Sequence, residues 1–150
     1  VAFRDSKPAE PVAIEGAAEI ARNVLIWLNT YPDLPAIMNY EYLPAAAPKV
    51  ALSTIQGAYI TKRYILGGYE AEYQFKVIYR ISPGNSMDER LQADEMLNRL
   101  GAWAQQNLPN LGEKIRTIKV EATTLSALFA QYEGGLEDHQ ILMKLTYEVM

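Results

Sequence analysis

Residues 58–81 read Ala58-Tyr59-Ile60-Thr61-Lys62-Arg63-Tyr64-Ile65-Leu66-Gly67-Gly68-Tyr69-Glu70-Ala71-Glu72-Tyr73-Gln74-Phe75-Lys76-Val77-Ile78-Tyr79-Arg80-Ile81. Two apolar-patterned runs flank a glycine pair, which supplies the positive φ angles of a tight turn, so the stretch reads as a long β-hairpin. With Gly67 and Gly68 as a two-residue loop, Leu66 faces Tyr69. Tyr64 then meets Ala71, Ile60 meets Phe75 and Ala58 meets Val77 on the apolar face, and Arg63 lies opposite Glu72 on the polar one. Lys62 opposite Tyr73 is the exception, tolerable if its stem lies along the ring while its ammonium reaches water.

The pattern extends outward from the hairpin. Val50 to Gln56 is a further strand, set off from Ala58 to Leu66 by Gly57, and Ala36 to Leu43, closed by Pro44 and the Ala45–Pro48 linker, is another. Upstream, Ala17, Ala21, Val24, Leu28 and Tyr31 recur at helical spacing, with Ile20 and Trp27 widening the stripe, until Pro32-Asp33-Leu34-Pro35 stops the helix. Downstream, Ser86 and Glu89 have capping-box spacing after the Pro83-Gly84 turn. They open a helix whose stripe is Ala93, Met96, Leu97, Leu100, Ala104 and Leu108. Ile115–Ala122, Leu125–Tyr132 and His139–Val149 close the chain as strands. Strand runs between isolated helices predict an α+β fold: a mostly antiparallel sheet with a long Tyr-rich β-hairpin and two amphipathic helices packed on one face.

The chain has 150 residues, 49% of them hydrophobic and 21% charged, which suits one globular domain spanning 1–150. Residues 1–11, with Lys7, Pro8 and Pro11, read as a flexible N-terminal arm. No apolar run is long enough to span a bilayer, so no membrane association is expected. Val1-Ala2-Phe3-Arg4-Asp5 lacks the layout of a signal peptide, which points to the cytoplasm if Val1 is the natural start. The formal net charge of −4 argues against a protein held on nucleic acid by counterion release.

Zero cysteines exclude disulfides, thiolate metal sites and cysteine nucleophiles, and a single histidine excludes any two-His metal motif within one chain. Neither glycine pair has the spacing of a phosphate-binding loop. His139, beside Asp138 and the Gly134-Gly135 loop, reads as part of an exposed turn entering the last strand rather than as a catalytic base. Glu70 and Glu72 share a strand face, but Arg63 answers Glu72 across the hairpin, so paired-carboxylate chemistry is not expected. No catalytic, cofactor-binding or metal-binding residue is assigned, and no cofactor is expected.

Tyrosine is the outlier: 10 residues against 3 Phe and 2 Trp, with Tyr59, Tyr64, Tyr69, Tyr73 and Tyr79 all in the hairpin. Tyr suits half-buried sheet faces and also surfaces that are wet until a partner covers them. Tyr69–Ile81 would extend about 43 Å at ~3.3 Å per residue, against a radius of gyration of about 15 Å for a chain of this size, so the hairpin is expected to overhang its domain. The candidate assembly interface is therefore Arg63, Tyr64, Ile65, Leu66, Tyr69, Glu70 and Glu72.

The N-terminal helix, the hairpin strand Tyr69-Glu70-Ala71-Glu72-Tyr73-Gln74-Phe75-Lys76-Val77-Ile78-Tyr79-Arg80 and the helix Ala93-Asp94-Glu95-Met96-Leu97-Asn98-Arg99-Leu100-Gly101-Ala102-Trp103 together resemble the siphophage and prophage minor capsid proteins of the tail terminator (tail completion) family. The likeness covers most of the chain from about Glu10. It implies an α+β protein that stops tail-tube growth by forming a homo-oligomeric ring, often hexameric, between the tail-tube protein and the head-connector protein. DNA would pass through without specific binding. It also implies a place in the virion tail or neck, with assembly in the bacterial host cytoplasm. The competing expectation is a small-molecule-binding module or enzyme whose pocket lies between helix and sheet, with Tyr and Trp walls.

Overall fold

Alternation of apolar and polar side chains along Tyr69–Ile81 (β4) places Ala71, Tyr73, Phe75 and Val77 on one face, all of them buried. β4 lies between Lys49–Arg63 (β3) and Glu137–Val149 (β7), antiparallel to both. The computed structural model describes residues 10–150. Glu10–Pro11 (β1) and Met38–Tyr40 (β2) line the outer edge of β3, β1 antiparallel at Ile60 and Tyr59, β2 parallel at Val50–Leu52. Ile115–Ala122 (β5) and Ala127–Gln131 (β6) lie one after the other against the outer edge of β7. Each long strand edge is thus partly covered by two short strands, one way a sheet protects its open backbone.

The sheet's inward face carries Ile141, Met143, Leu145 and Tyr147 of β7 beside the β4 residues. Helix Ile14–Leu28 (α1) packs Ile20, Val24 and Leu28 onto it, and helix Met87–Gln106 (α2) packs Leu97, Leu100 and Ala104. Both helices belong to one core cluster, as the pattern predicts for helices on one face. Their seam is aromatic: Trp27 stacks on Trp103 at 5.6 Å between ring centroids, and Tyr31 meets Trp103 at 5.3 Å. Leu108, assigned to the α2 stripe from its spacing, is exposed, because the helix ends at Gln106 and Asn107 leaves helical geometry.

Ser86 caps α2 as predicted: its hydroxyl accepts from the Glu89 backbone N–H at 3.1 Å. The Ser86 N–H donates to the Pro83 carbonyl at 3.0 Å, closing the preceding turn. Ser86→Ala is expected to lower stability by about 1 kcal/mol in denaturant unfolding.

The hairpin departs from the predicted register. Arg63 faces Tyr69, so the turn comprises Tyr64–Gly68 rather than the glycine pair alone, closed by Tyr64 N–H to Gly68 O at 3.2 Å. Ile60 then faces Ala71, Ala58 faces Tyr73 and Lys62 faces Glu70. The offset from the predicted pairing is three residues at the turn, four past a one-residue bulge at Thr61 and six past a two-residue bulge at Ile55–Gln56 before Gly57. Gly57, at φ 74°, bends the chain within a single strand, which is why Val50–Gln56 and Ala58–Leu66 are not two strands. The one-residue bulge at Thr61 returns Ile60 and Ala58 to the inward face opposite Ala71 and Tyr73, and the two-residue bulge at Ile55–Gln56 leaves that face unchanged.

The overhang is also corrected. Every residue of β4 is paired with β7, from Tyr69 opposite Val149 to Ile81 opposite Glu137, so only the Tyr64–Gly68 turn projects beyond the ladder. Of the predicted arm, Glu10 and Pro11 are paired to β3, and residues 1–9 lie outside the described residues.

Candidate assembly surface

Gly67 and Gly68, at φ 99° and 82°, set the shape of the projecting turn. A Cβ at Gly68 would collide with the Val149 carbonyl oxygen, so this position needs glycine for both conformation and space. Gly68→Ala is expected to destabilise the fold by about 1–3 kcal/mol, measurable by thermal unfolding.

The turn leaves Ile65 at 101% and Leu66 at 99% relative exposure. Their neighbours are tied down. The Tyr64 hydroxyl donates to Glu148 at 2.8 Å, and Arg116 also pairs with that carboxylate. These partners, Arg116 first and then Tyr64, hold the Glu148 carboxyl below its usual range. Tyr69 is half-buried and packs against the core.

Arg63 pairs with Glu10 of β1, not with Glu72 as the two-residue loop required. Glu72 instead lies 3.4 Å from Lys144 of β7, which reaches Glu121 of β5 at the same distance. Glu70 accepts from the Thr61 hydroxyl at 3.1 Å. Of the seven residues singled out in the sequence, five therefore support the hairpin, and Ile65 and Leu66 form its free apolar surface.

The opposite end of the sheet holds a polar cluster that the sequence reading missed. Glu137, Asp138 and His139 are all buried, whereas Asp138 and His139 were expected in an exposed turn. The reason is that β7 already begins at Glu137, placing all three residues between β4 and β6. Stepping back by twos from Tyr147 through Leu145, Met143 and Ile141 lands on His139 and Glu137, and that alternation was the available signal.

Each of the three has partners. Arg80 grips Asp138 through two bonds of 2.7 and 2.9 Å, donates to the Leu43 and Pro44 carbonyls, and lies under the Tyr132 ring. The Tyr132 hydroxyl donates to the same Asp138 carboxylate at 3.0 Å. On the helix side, Arg90 of α2 donates to Glu137 at 3.0 Å, with Gln131 at 3.1 Å. His139 Nδ1 lies 2.8 Å from Asp94, whose same oxygen accepts from the Ser126 hydroxyl.

His139 Nε2 faces Glu137 at 3.5 Å, without hydrogen-bond geometry, and the ring is 2% exposed. The imidazole thus braces α2 against β7 and has no open side from which a substrate could be approached. Ser126 and His139 both address Asp94 rather than each other, which is not the order of a nucleophile and its base.

The Arg90 guanidinium holds the Glu137 carboxyl below its ordinary value of 4.5, against the opposing effect of burial. A depressed carboxylate contributes stability above its unfolded-state pKa and loses it as pH falls through the lower folded value. Stability is therefore expected to decline below about pH 4.5 in an acid titration, and Glu137→Gln should flatten that decline.

Several hollows face solvent, including two flanking the helices. One, of about 460 Å³, lies between α2 and β4 and is lined by Tyr79, Glu89, Gln92 and Met96, with Ala47 and Pro48 on its rim. The other, of about 270 Å³, lies between α1 and Tyr40. Trp27 and Trp103, expected as pocket walls in the ligand-binding alternative, are spent on the helix seam. Among the described residues no cluster of three or more His, Asp or Glu could hold a metal ion, and no helix is long and apolar enough to cross a membrane.

No protein-family model matches the sequence, and no curated protein matches it. Of the solved structures that match, one chain is similar over 93% of this chain and 97% of its own length, at 17% identity and a TM-score of 0.46. A likeness that loose carries no argument about function, and the α+β architecture stands on the residues and their pairing described above.

Proposed function

We propose that this chain is a non-enzymatic structural protein of a tailed phage: a tail terminator that forms a homo-oligomeric ring on the end of the tail tube and joins it to the head connector. The observation that carries the reading is the Ile65–Leu66 turn, two fully exposed branched aliphatics projecting beyond the end of the β4–β7 ladder. Burying a side chain of this kind contributes about 1.5–3 kcal/mol, so a partner surface over the turn removes a standing cost.

The likeness to the tail terminator family supports the same reading. So does the net charge of −4, since an acidic conduit lets DNA pass without holding it. The partners are then further copies of this chain, the tail-tube protein and the head-connector protein. The protein would reside in the virion neck after assembly in the bacterial host cytoplasm.

Tail tubes made without their terminator test this. Added protein is expected to cap one end of each tube in negative-stain images and to stop further elongation. Tubes that stay uncapped and keep growing would refute it.

The alternative, a small-molecule-binding module or enzyme, draws on the 460 Å³ hollow between α2 and β4, a size common among ligand sites, with Tyr79 and Glu89 in its lining. A saturable rise in melting temperature with one metabolite, abolished by Tyr79→Ala, would favour it.

A further inference from the structure

We propose that the Ile65–Leu66 turn of one copy seats in the hollow between α1 and β2 of a second copy, so that one chain carries both halves of a head-to-tail contact. This deepens the assembly reading above and rests on it. The hollow is lined by Ala18, Ala21, Arg22 and Leu25 of α1 and by Tyr40 of β2. Two alanines create the space, and Leu25 and the Tyr40 ring wall it. At about 270 Å³ it falls below the roughly 300–1,000 Å³ of small-molecule sites and lacks their convergent polar groups. An aliphatic side chain fits its size and lining better than a metabolite does.

Position makes the occupant a second copy rather than the same one. β2 is paired with β3 at Val50–Leu52, whereas the turn leaves β3 at Arg63. That separation along the strand is roughly 30 Å at about 3.3 Å per residue, with allowance for the two bulges. A knob at one end of the molecule and its socket at the other give a heterologous contact, which propagates from copy to copy and closes into a ring if the rotation permits.

Charge fixes the orientation. Lys62, just before the turn, forms no ion pair among the described residues, and its ammonium lies 5.8 Å from the Tyr64 ring centroid. Glu15 forms none among the described residues either, and it falls on the same helical stripe as Ala18, Arg22 and Leu25, at the N-terminal end of the hollow. Lys62 precedes Ile65 by about 10 Å of chain, and Glu15 lies about 10 Å along the helix from Arg22 at ~1.5 Å per residue. Seating the turn therefore brings Lys62 to Glu15, while Arg22 keeps its own partner, Glu19, at 2.9 Å.

The chain has no cysteine, so introduced thiols report without background. Leu66→Cys and Ala18→Cys are both exposed positions, whose retained fold is checked by thermal unfolding. Mixed and oxidised, the two variants are expected to cross-link at least tenfold faster than Leu66→Cys mixed with Leu125→Cys, an exposed apolar site between β5 and β6. Equal rates, or a preference for residue 125, would overturn the proposed socket.

Lys62→Glu is expected to weaken self-association at least tenfold, and adding Glu15→Lys in the same chain to restore it. Absence of restoration would overturn the orientation. Assembly of the wild-type protein in light scattering, together with no preferential cross-link between the Leu66→Cys and Ala18→Cys variants, leaves the ring reading intact and sinks the socket. Wild-type protein that stays monomeric at every concentration sinks both.

Discussion

Replacing Arg80 by alanine is expected to lower folding stability by about 3–5 kcal/mol, the usual cost of leaving one partner of a buried ion pair alone. Arg80 and Asp138 are only 13% and 4% exposed at the side chain, and the guanidinium also ties the Leu43–Pro44 segment to β4 through two carbonyls. Its loss strips Asp138 of both bidentate bonds and leaves Tyr132 as its donor. Arg99→Ala makes the control. Its pair with Glu95 is exposed and 3.6 Å long, so the expected loss is about 0.3–0.5 kcal/mol. Urea unfolding of the two variants checks the contrast, and equal losses would mean that the Arg80 cluster is not a structural anchor.

The double substitution Ile65→Asp with Leu66→Asp is expected to do the opposite: no change in melting temperature beyond about 2 °C and complete loss of self-association and tube capping. Surface changes away from packed or paired groups usually fall within about 0.5 kcal/mol, and both side chains already stand in water. Two carboxylates there would have to be buried unpaired in any partner surface, which costs far more than the contact contributes. Tyr69 is not a suitable companion for this test, because its ring packs on the core and its loss would destabilise the monomer. Unimpaired assembly by the double variant would remove the turn from the interface.

The layout of the fold was legible because its signals are local. Ser86 and Glu89 mark the α2 start, the Ala17–Tyr31 stripe marks α1, and period-two alternation marks β4 and β7. Register was not legible, since a glycine pair says that a turn exists and not how many residues it takes. Here Tyr64 closes a five-residue turn, which by itself moves every pair that the two-residue loop implied, and the bulge at Thr61 moves Ile60 and Ala58 by one residue more.

Those shifts also explain why Arg63 was matched to Glu72 when its partner is Glu10, from the other end of the sequence. The β2–β3 pairing is parallel, an orientation that the composition of Ala36–Leu43 does not encode.

The same limit governs the candidate surfaces. Ile65 and Leu66 could be singled out because apolar residues beside a turn are conspicuous wherever the register falls. The Asp138–His139 pair looked like a turn because its partners, Arg80, Asp94 and Tyr132, come from three other segments. A polar pair next to glycines reads as solvated until the strand that buries it is in place.

Light scattering behind size exclusion over a wide concentration range, with negative-stain images of any large species, tests the central claim most directly. The account predicts a closed ring with a central hole, its mass a whole-number multiple of the 16.8 kDa chain. A monomer at every concentration would contradict it.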